Sequence, residues 1–481
     1  MAVLDFSKIT FRRKFALTMY KDQILPLARM SFAKDFTQTD RGDLYPLLSR
    51  SANTVESITD HRWHVNGEVS RLLGQFFPYA TYALSVDSLN GAAGFRLILL
   101  HTEAMVALAC KAGEYRIVFD CGDVHETVLT ERATDTLIVS CRPGAFDCYV
   151  LKNGKPIFVK SFRAPTFGDS ARQPVFERSV AAVCISGNAC VRSVESYLDN
   201  GISQADLRPI RCENGEIFCE DGKIWLTASI RLQEGCFQGV FSWIPTTAEL
   251  TYTGALFFAT EDQVWGNDVA SSILWHRAER RWYLWVCSFS RGHILGHAVI
   301  DGEIRRGINV VDITLLPTAT AENADTDFVG FTRDEDPDFY FDEAERCWYM
   351  AICRRDPETE RYRYYFFRSD EPFAGYQFLG KGLPGSETGG SFARIGGERY
   401  FICGNSFDAR SDYRIYSTAG MQNAVFDYPD GGFRGWGTLI PLKLGTRTRL
   451  YWLTFDRQLG SDYNWSYGNI HCFEADWYSK I

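Results

Sequence analysis

AERRWYLWVCS at residues 278–288 and AERCWYMAICR at residues 344–354 each read as a turn running into an aromatic-rich strand. Three further segments have the same form: EDGKIWLTASI at 220–230, GGERYFICGNS at 396–406 and TRTRLYWLTFD at 446–456. Aligned on Trp225, Tyr283, Tyr349, Phe401 and Trp452, they are spaced by 58, 66, 52 and 51 residues, room for one four-stranded blade each. One such segment is an ordinary hairpin, but five in register over roughly 250 residues point to a radial repeat. The sequence therefore predicts a five-bladed β-propeller over residues 206–481.

Upstream, short runs rich in Val, Ile, Tyr and Phe continue from about Trp63 to Tyr197, among them GFRLILLH, EYRIVFDC and DTLIVSCR. Asn153-Gly154 in YVLKNGKPIFV is a strong hairpin signal. Strands at this spacing suggest a two-sheet β-sandwich within residues 1–205. A helical lead is expected near Ser7 to Met30 and a short helix around Ser51 to Asp60, leaving an all-β chain: an N-terminal β-sandwich followed by the propeller.

Composition bounds what such a chain does. Its 481 residues exceed one ordinary core and suggest two domains. The net charge of -9 opposes binding to nucleic acid. The most apolar run, Leu97 to Cys110, is interrupted by His101 and Glu103, too short and too polar to span a membrane. The first residues lack the apolar core of a secretory signal, and no two of the 14 Cys have C-x-x-C spacing. Reduced core thiols in a cytoplasmic protein are expected.

The first strand of each propeller blade lines the central channel, so a polar residue at its start points into a shared pocket. Reading back 12 to 15 residues from the aligned aromatics gives Glu213, Asp268, Asp336 and Glu387. Any one of these could be an ordinary turn residue; their recurrence at blade entrances is the functional signal. Trp265, near Asp268, is either a sugar platform or core. Arg434 and Trp436 fall where the fifth blade begins, and suit a sugar hydroxyl and a ring face as well as they suit a rim. His293 and His297 in RGHILGH are four apart, but two glycines and a strand context argue against a helical metal pair. His293 is taken as a substrate contact, and no metal or other cofactor is expected.

DEDPDFYFDEAERCWYM, residues 334–350, resembles the Asp-Pro entrance and hairpin of glycoside hydrolase families 43 and 32, and SETGGSF, residues 386–392, resembles the segment where those families place their general acid. The N-terminal strand pattern is similar to the concanavalin-like sandwich that accompanies many carbohydrate-active enzymes. The resemblance implies that Glu387 donates a proton and that Asp336 positions that donor. It leaves the third carboxylate open among Glu213, Asp268 and Asp206, because the family's first blade usually opens on Asp and this chain offers Glu213-Asn214-Gly215. The implied activity is hydrolysis of a small oligosaccharide or glycoside. A phosphorylase of related fold and a non-catalytic carbohydrate-binding protein are the alternatives.

Overall fold

A computed structural model describes residues 4–17, 23–30, 46–130, 135–266, 268–316, 334–356, 359–405, 412–427, 433–445, 447–457 and 467–478. The chain divides into two compact units, one of Met1–Gln23, Asn200–Glu261 and Gly266–Ile481, the other of Ile24–Asp199 and Asp262–Trp265.

The larger unit is the propeller. Its five sheets begin with the inner strands Ser203–Pro209, Asp268–His276, Asp334–Asp342, Glu387–Ile395 and Phe433–Leu444. Each aligned aromatic of the repeat lies on the second strand of its blade: Trp225, Tyr283, Tyr349, Phe401 and Trp452. These side chains recur because each fills the gap between neighbouring sheets. Trp225 packs with Ile273, Trp282 and Leu284 between blades one and two. Tyr349 and Phe401 share the core between blades three and four. Trp452 packs with Ile402 and Ile415 between blades four and five.

The helix expected near Ser7 to Met30 is, among the described residues, a single 3-10 turn at Phe6–Lys8 followed by strands, with residues 18–22 lying outside the described residues. Thr10–Leu17 pairs antiparallel with Tyr467–Tyr478 and supplies the outer strand of blade five. Burial decides this: Phe11 is fully buried against Phe426 and Trp452, with ring centroids 5.3 and 5.2 Å away, contacts a free helix could not make. Ile24–Met30 pairs with Val194–Asp199, and Pro26 is tolerated there because among the described residues the strand has a single neighbour. The short helix expected around Ser51 to Asp60 is likewise a strand, Val55–Thr59, paired with Arg62–Asn66.

In the second unit the hydrogen bonds make one continuous twelve-stranded sheet. Two long strands, Thr81–Leu99 and Ser179–Asp199, run through it side by side and take different outer neighbours along their two halves. Midway, Gly91 and Gly187 pair directly, with φ of +134° and +98°. A Cβ on Gly91 would stand 2.0 Å from the Ser186 carbonyl oxygen, so the backbones meet there only because both lack one. Phe119 of one half stacks on Phe162 of the other at 4.9 Å.

Candidate active site

All five inner strands break register at the same step, with two residues bulged out against the second strand: Asp206-Leu207, Ala270-Ser271, Asp336-Pro337, Gly389-Gly390 and Trp436-Gly437. The first bulged residue has positive φ in blades one to four, at 53°, 56°, 49° and 60°. Asp tolerates this left-handed backbone better than most side chains, and Gly is free in it. In blades one and three the bulge re-aims a carboxyl, whereas in blade four the same place is a glycine.

Asp206 and Asp336 are 7% and 3% exposed. Ser229 Oγ donates to Asp206 Oδ2 at 2.5 Å and Arg231 Nη2 stands 3.6 Å from that oxygen. Asp336 Oδ2 accepts from Thr388 Oγ1 at 2.8 Å and from the Gly389 N–H at 2.9 Å. Burial, and after it the charge of Asp336, pushes the Asp206 carboxyl above its ordinary value, and Arg231 and Ser229 oppose the rise only in part. The geometry thus sets two unlike carboxyl groups at one end of the channel, one biased toward holding a proton and one surrounded by donors.

Below them the channel is filled. Arg211 Nη1 donates to the Phe392 carbonyl at 2.7 Å, Nη2 to Asp338 Oδ1, and Ser272 Oγ to the same Asp338 oxygen. This polar cluster ties Arg211, whose strand pairs with the inner strand of blade two, to blades three and four.

Glu387 and Asp268 sit two residues before the bulge, at a position with a different job. In blade two, Asp268 takes Arg291 Nη1 at 2.8 Å and Ser288 Oγ at 2.6 Å. In blade three, Asp334 takes Arg354 Nε at 2.8 Å and Nη2 at 2.9 Å. In blade four, Glu387 Oε1 takes Arg414 Nη1 at 2.8 Å together with Tyr416 OH, and Oε2 takes the Tyr364 N–H at 3.1 Å. Each is an arginine-clamped acid, and Glu387 is 0% exposed. Side chains alternate along a strand, which is why Thr388 meets Asp336 while Glu387 turns to Arg414. Burial raises the Asp268 carboxyl, with its serine and arginine partners pulling the other way.

The structure does not bring Glu213 to this group. It follows Arg211–Cys212, past the far end of the inner strand of blade two, where Arg277 Nε meets Oε1 at 2.9 Å. Its carbonyl accepts from the Phe341 N–H at 2.6 Å. Phe341 is five strand residues beyond Asp336, about 16 Å at the usual rise. Trp265 is also corrected as a sugar platform: it is 4% exposed, edge-on to Phe77 and Phe176 at 5.4 and 4.6 Å, and belongs to the core of the other unit.

His293 meets a sequence neighbour of Asp336. Its Nδ1 is 3.3 Å from Glu335 Oε1, next in sequence to Asp336, and its ring is half-exposed against Phe289. His297 instead stacks on Phe373 at 4.7 Å, and burial lowers its pKa. Arg434 and Trp436 lie on the inner strand of blade five, but their side chains fall outside the described residues. Among the described residues no group of three or more His, Cys, Asp or Glu is gathered as a metal site. Sequence reasoning left Asp206 open beside Glu213 and Asp268, and missed Arg208, Glu335 and the Arg211–Asp338 pair. The signal was present in Asp206-Leu207-Arg208 beside Asp336-Pro337-Asp338, an Asp, an apolar residue and a charge in each.

No protein-family model matches the sequence, and no curated protein matches it. Among solved structures, the chain is similar to Bacillus subtilis levansucrase (10% identity, TM-score 0.40, covering 56% of this chain and 83% of that one). It is also similar to a GH62 α-L-arabinofuranosidase catalytic domain from Coprinopsis cinerea (13%, 0.35, 56% and 90%) and to a GH43 β-1,3-galactosidase (9%, 0.38, 56% and 93%).

Proposed function

We propose that the chain is a glycoside hydrolase acting on a small oligosaccharide or glycoside, with Asp206 and Asp336 as its acid and base. The observation that supports this is the placement of two buried carboxyl groups on equivalent bulges of blades one and three, one of them raised by burial and by the charge of the other. Glycoside hydrolysis needs this inequality: a protonated carboxyl gives its proton to the leaving oxygen while an ionised one supports the oxocarbenium-like transition state or activates water. Asp206 fits the donor and Asp336 the carboxylate. Glu387 fits the donor less well, because Arg414, Tyr416 and the Tyr364 N–H already occupy its oxygens; in this reading it braces blade four behind Thr388. His293 and Glu335 line the approach and suit sugar hydroxyls.

A cytoplasmic setting belongs to the same proposal, supported by buried thiols such as Cys287, Cys353 and Cys403. So does a sandwich-like form for the second unit, supported by the stacking of Phe119 on Phe162.

The test is turnover of arabinosides, xylosides, galactosides and fructosides by the wild type and by Asp206→Asn, Asp336→Asn and Glu387→Gln. The reading holds if the two Asp variants are inactive and Glu387→Gln keeps measurable activity. Full activity in Asp206→Asn with none in Glu387→Gln returns the donor role to Glu387.

A further inference from the structure

Arg208 is used by nothing in the mechanism above, yet it lies beside Asp336 and two residues along the strand from Asp206. It follows Asp206 by two residues on the inner strand of blade one, and its side chain is 4% exposed. Nη1 donates to the Pro337 carbonyl at 2.6 Å and to the Ala270 carbonyl at 3.3 Å, pinning the guanidinium between the bulges of blades two and three. Nη2 has no hydrogen-bond partner among the described residues and stands 4.0 Å from Asp336 Oδ1. A buried donor left over in this way is costly unless its charge is put to use.

We propose that Arg208 is a positioning residue that decides which of Asp206 and Asp336 carries the proton. The guanidinium is held by backbone carbonyls, so it cannot swing to follow whichever carboxylate is charged. From that fixed place it couples first to Asp336, then to Asp338 and Tyr364, and to Asp206 last of these. With one proton shared by the pair, the lower-energy arrangement puts the negative charge on Asp336, beside Arg208 and its two hydrogen-bond donors, and the proton on Asp206.

The other groups that face the pair do not reverse this. Asp206 is faced by Ser229 and by Arg231, whose side chain is 15% exposed and so better screened than Arg208. The Cys236 thiol beside it, itself raised by burial to about 11, is neutral at ordinary pH. Asp336 is faced by Thr388 and the Gly389 N–H. Burial also raises the neighbouring Cys287, Cys353, Tyr362 and Tyr364, which adds no charge near neutrality.

The proposal deepens the acid and base assignment above, but its test needs no turnover, so failure of the hydrolase reading leaves the outcome readable. Carbon-13 aspartate labelling or difference infrared spectroscopy follows carboxyl titration in the wild type, and Asp206→Asn and Asp336→Asn assign the late-titrating group. Asp268 is also raised by burial and keeps its own late signal throughout; in the wild type the pair's late signal is expected to vanish with Asp206→Asn. In Arg208→Met or Arg208→Gln it is expected to pass to Asp336, so that it vanishes with Asp336→Asn instead, with a displacement of roughly one pH unit or more, the scale of a lost opposite charge at this distance. Arg208→Lys is expected to keep it on Asp206. A late-titrating signal that stays with Asp206 in a folded neutral variant overturns the proposal. Should neither neutral variant fold, Arg208→Lys decides: retention on Asp206 supports the proposal, and transfer to Asp336 despite the kept charge overturns it.

Discussion

Asp206 and Asp336 occupy one and the same step of two different blades, each the first residue of an inner-strand bulge, with φ of +53° and +49°. Backbone and side chain are matched there, since a residue that tolerates the left-handed region is also the one that supplies the carboxyl. Replacement by Asn keeps the backbone preference and the shape while removing the charge. Asp206→Asn and Asp336→Asn are therefore expected to fold normally and to lower kcat by roughly 10²-fold or more, the usual worth of a general acid or base. Circular dichroism alongside kinetics on the cleaved glycoside checks both halves.

The raised carboxyl of Asp206 also makes a stability prediction. A folded state that holds this proton more tightly than the unfolded chain gains from it at low pH. That gain is lost as pH rises from the ordinary value of 3.8 through the raised one. Above that window the fold bears the full cost of a buried charge, which Asn does not. Asp206→Asn should thus melt higher than the wild type at about pH 7 and level with it at about pH 3. An unchanged difference across that range would count against the raised value.

Arg414→Met tests the clamp on Glu387. It strands a carboxylate that is 0% exposed, and breaking a buried pair in this way costs about 3 to 5 kcal/mol. Adding Glu387→Gln to Arg414→Met should restore much of the loss, because the uncompensated charge goes with it. Denaturant melts of the two single variants and the double variant close the cycle.

Gly389 and Gly390 should respond differently to alanine. At Gly389 the difficulty is the backbone, with φ at +60°, and the expected cost is about 1 to 2 kcal/mol. At Gly390 a Cβ would lie 2.2 Å from the Phe401 ring and 2.6 Å from that of Tyr364, both buried. Gly390→Ala must displace two packed rings, and is expected to be the more destabilising of the pair in thermal melts.

Trp265→Ala should destabilise the second unit's core without altering the propeller's chemistry. Truncating a buried Trp costs about 3 to 5 kcal/mol, and here Phe77 and Phe176 lose their shared neighbour. KM on any cleaved glycoside is expected to stay within a factor of about two below the melting transition.

The repeat was legible because it is a packing requirement: a large ring on each second strand fills the wedge between blades, and Trp225, Tyr283, Tyr349, Phe401 and Trp452 recur for that reason. Counting back from them reached Asp336 and, at the clamp position, Asp268 and Glu387. It failed in blade one, where Arg211–Cys212 and Cys219–Glu220 lengthen the connection between inner and second strands and move Asp206 to 19 residues before Trp225. The difference between clamp and bulge positions was invisible because it lies in register, two residues apart on strands of similar composition. Thr10–Leu17 was misread for a related cause: its partner, Tyr467–Tyr478, lies at the other side of the sequence, and local pattern carries no sign of so distant a neighbour.

That distant pairing bears on how the protein is made. Lys14 meets Glu474 across 460 residues, so a ribosome releases one half of the clasp long before the other exists. Until blade five emerges, Thr10–Leu17 is an unsatisfied strand edge, open to wrong partners on neighbouring chains. The sheet within Ile24–Asp199 has time to fold during that wait, whereas the ring must await its last strand. Crowded synthesis at high temperature, where such waiting edges meet most often, is where losses of this protein to aggregation would concentrate.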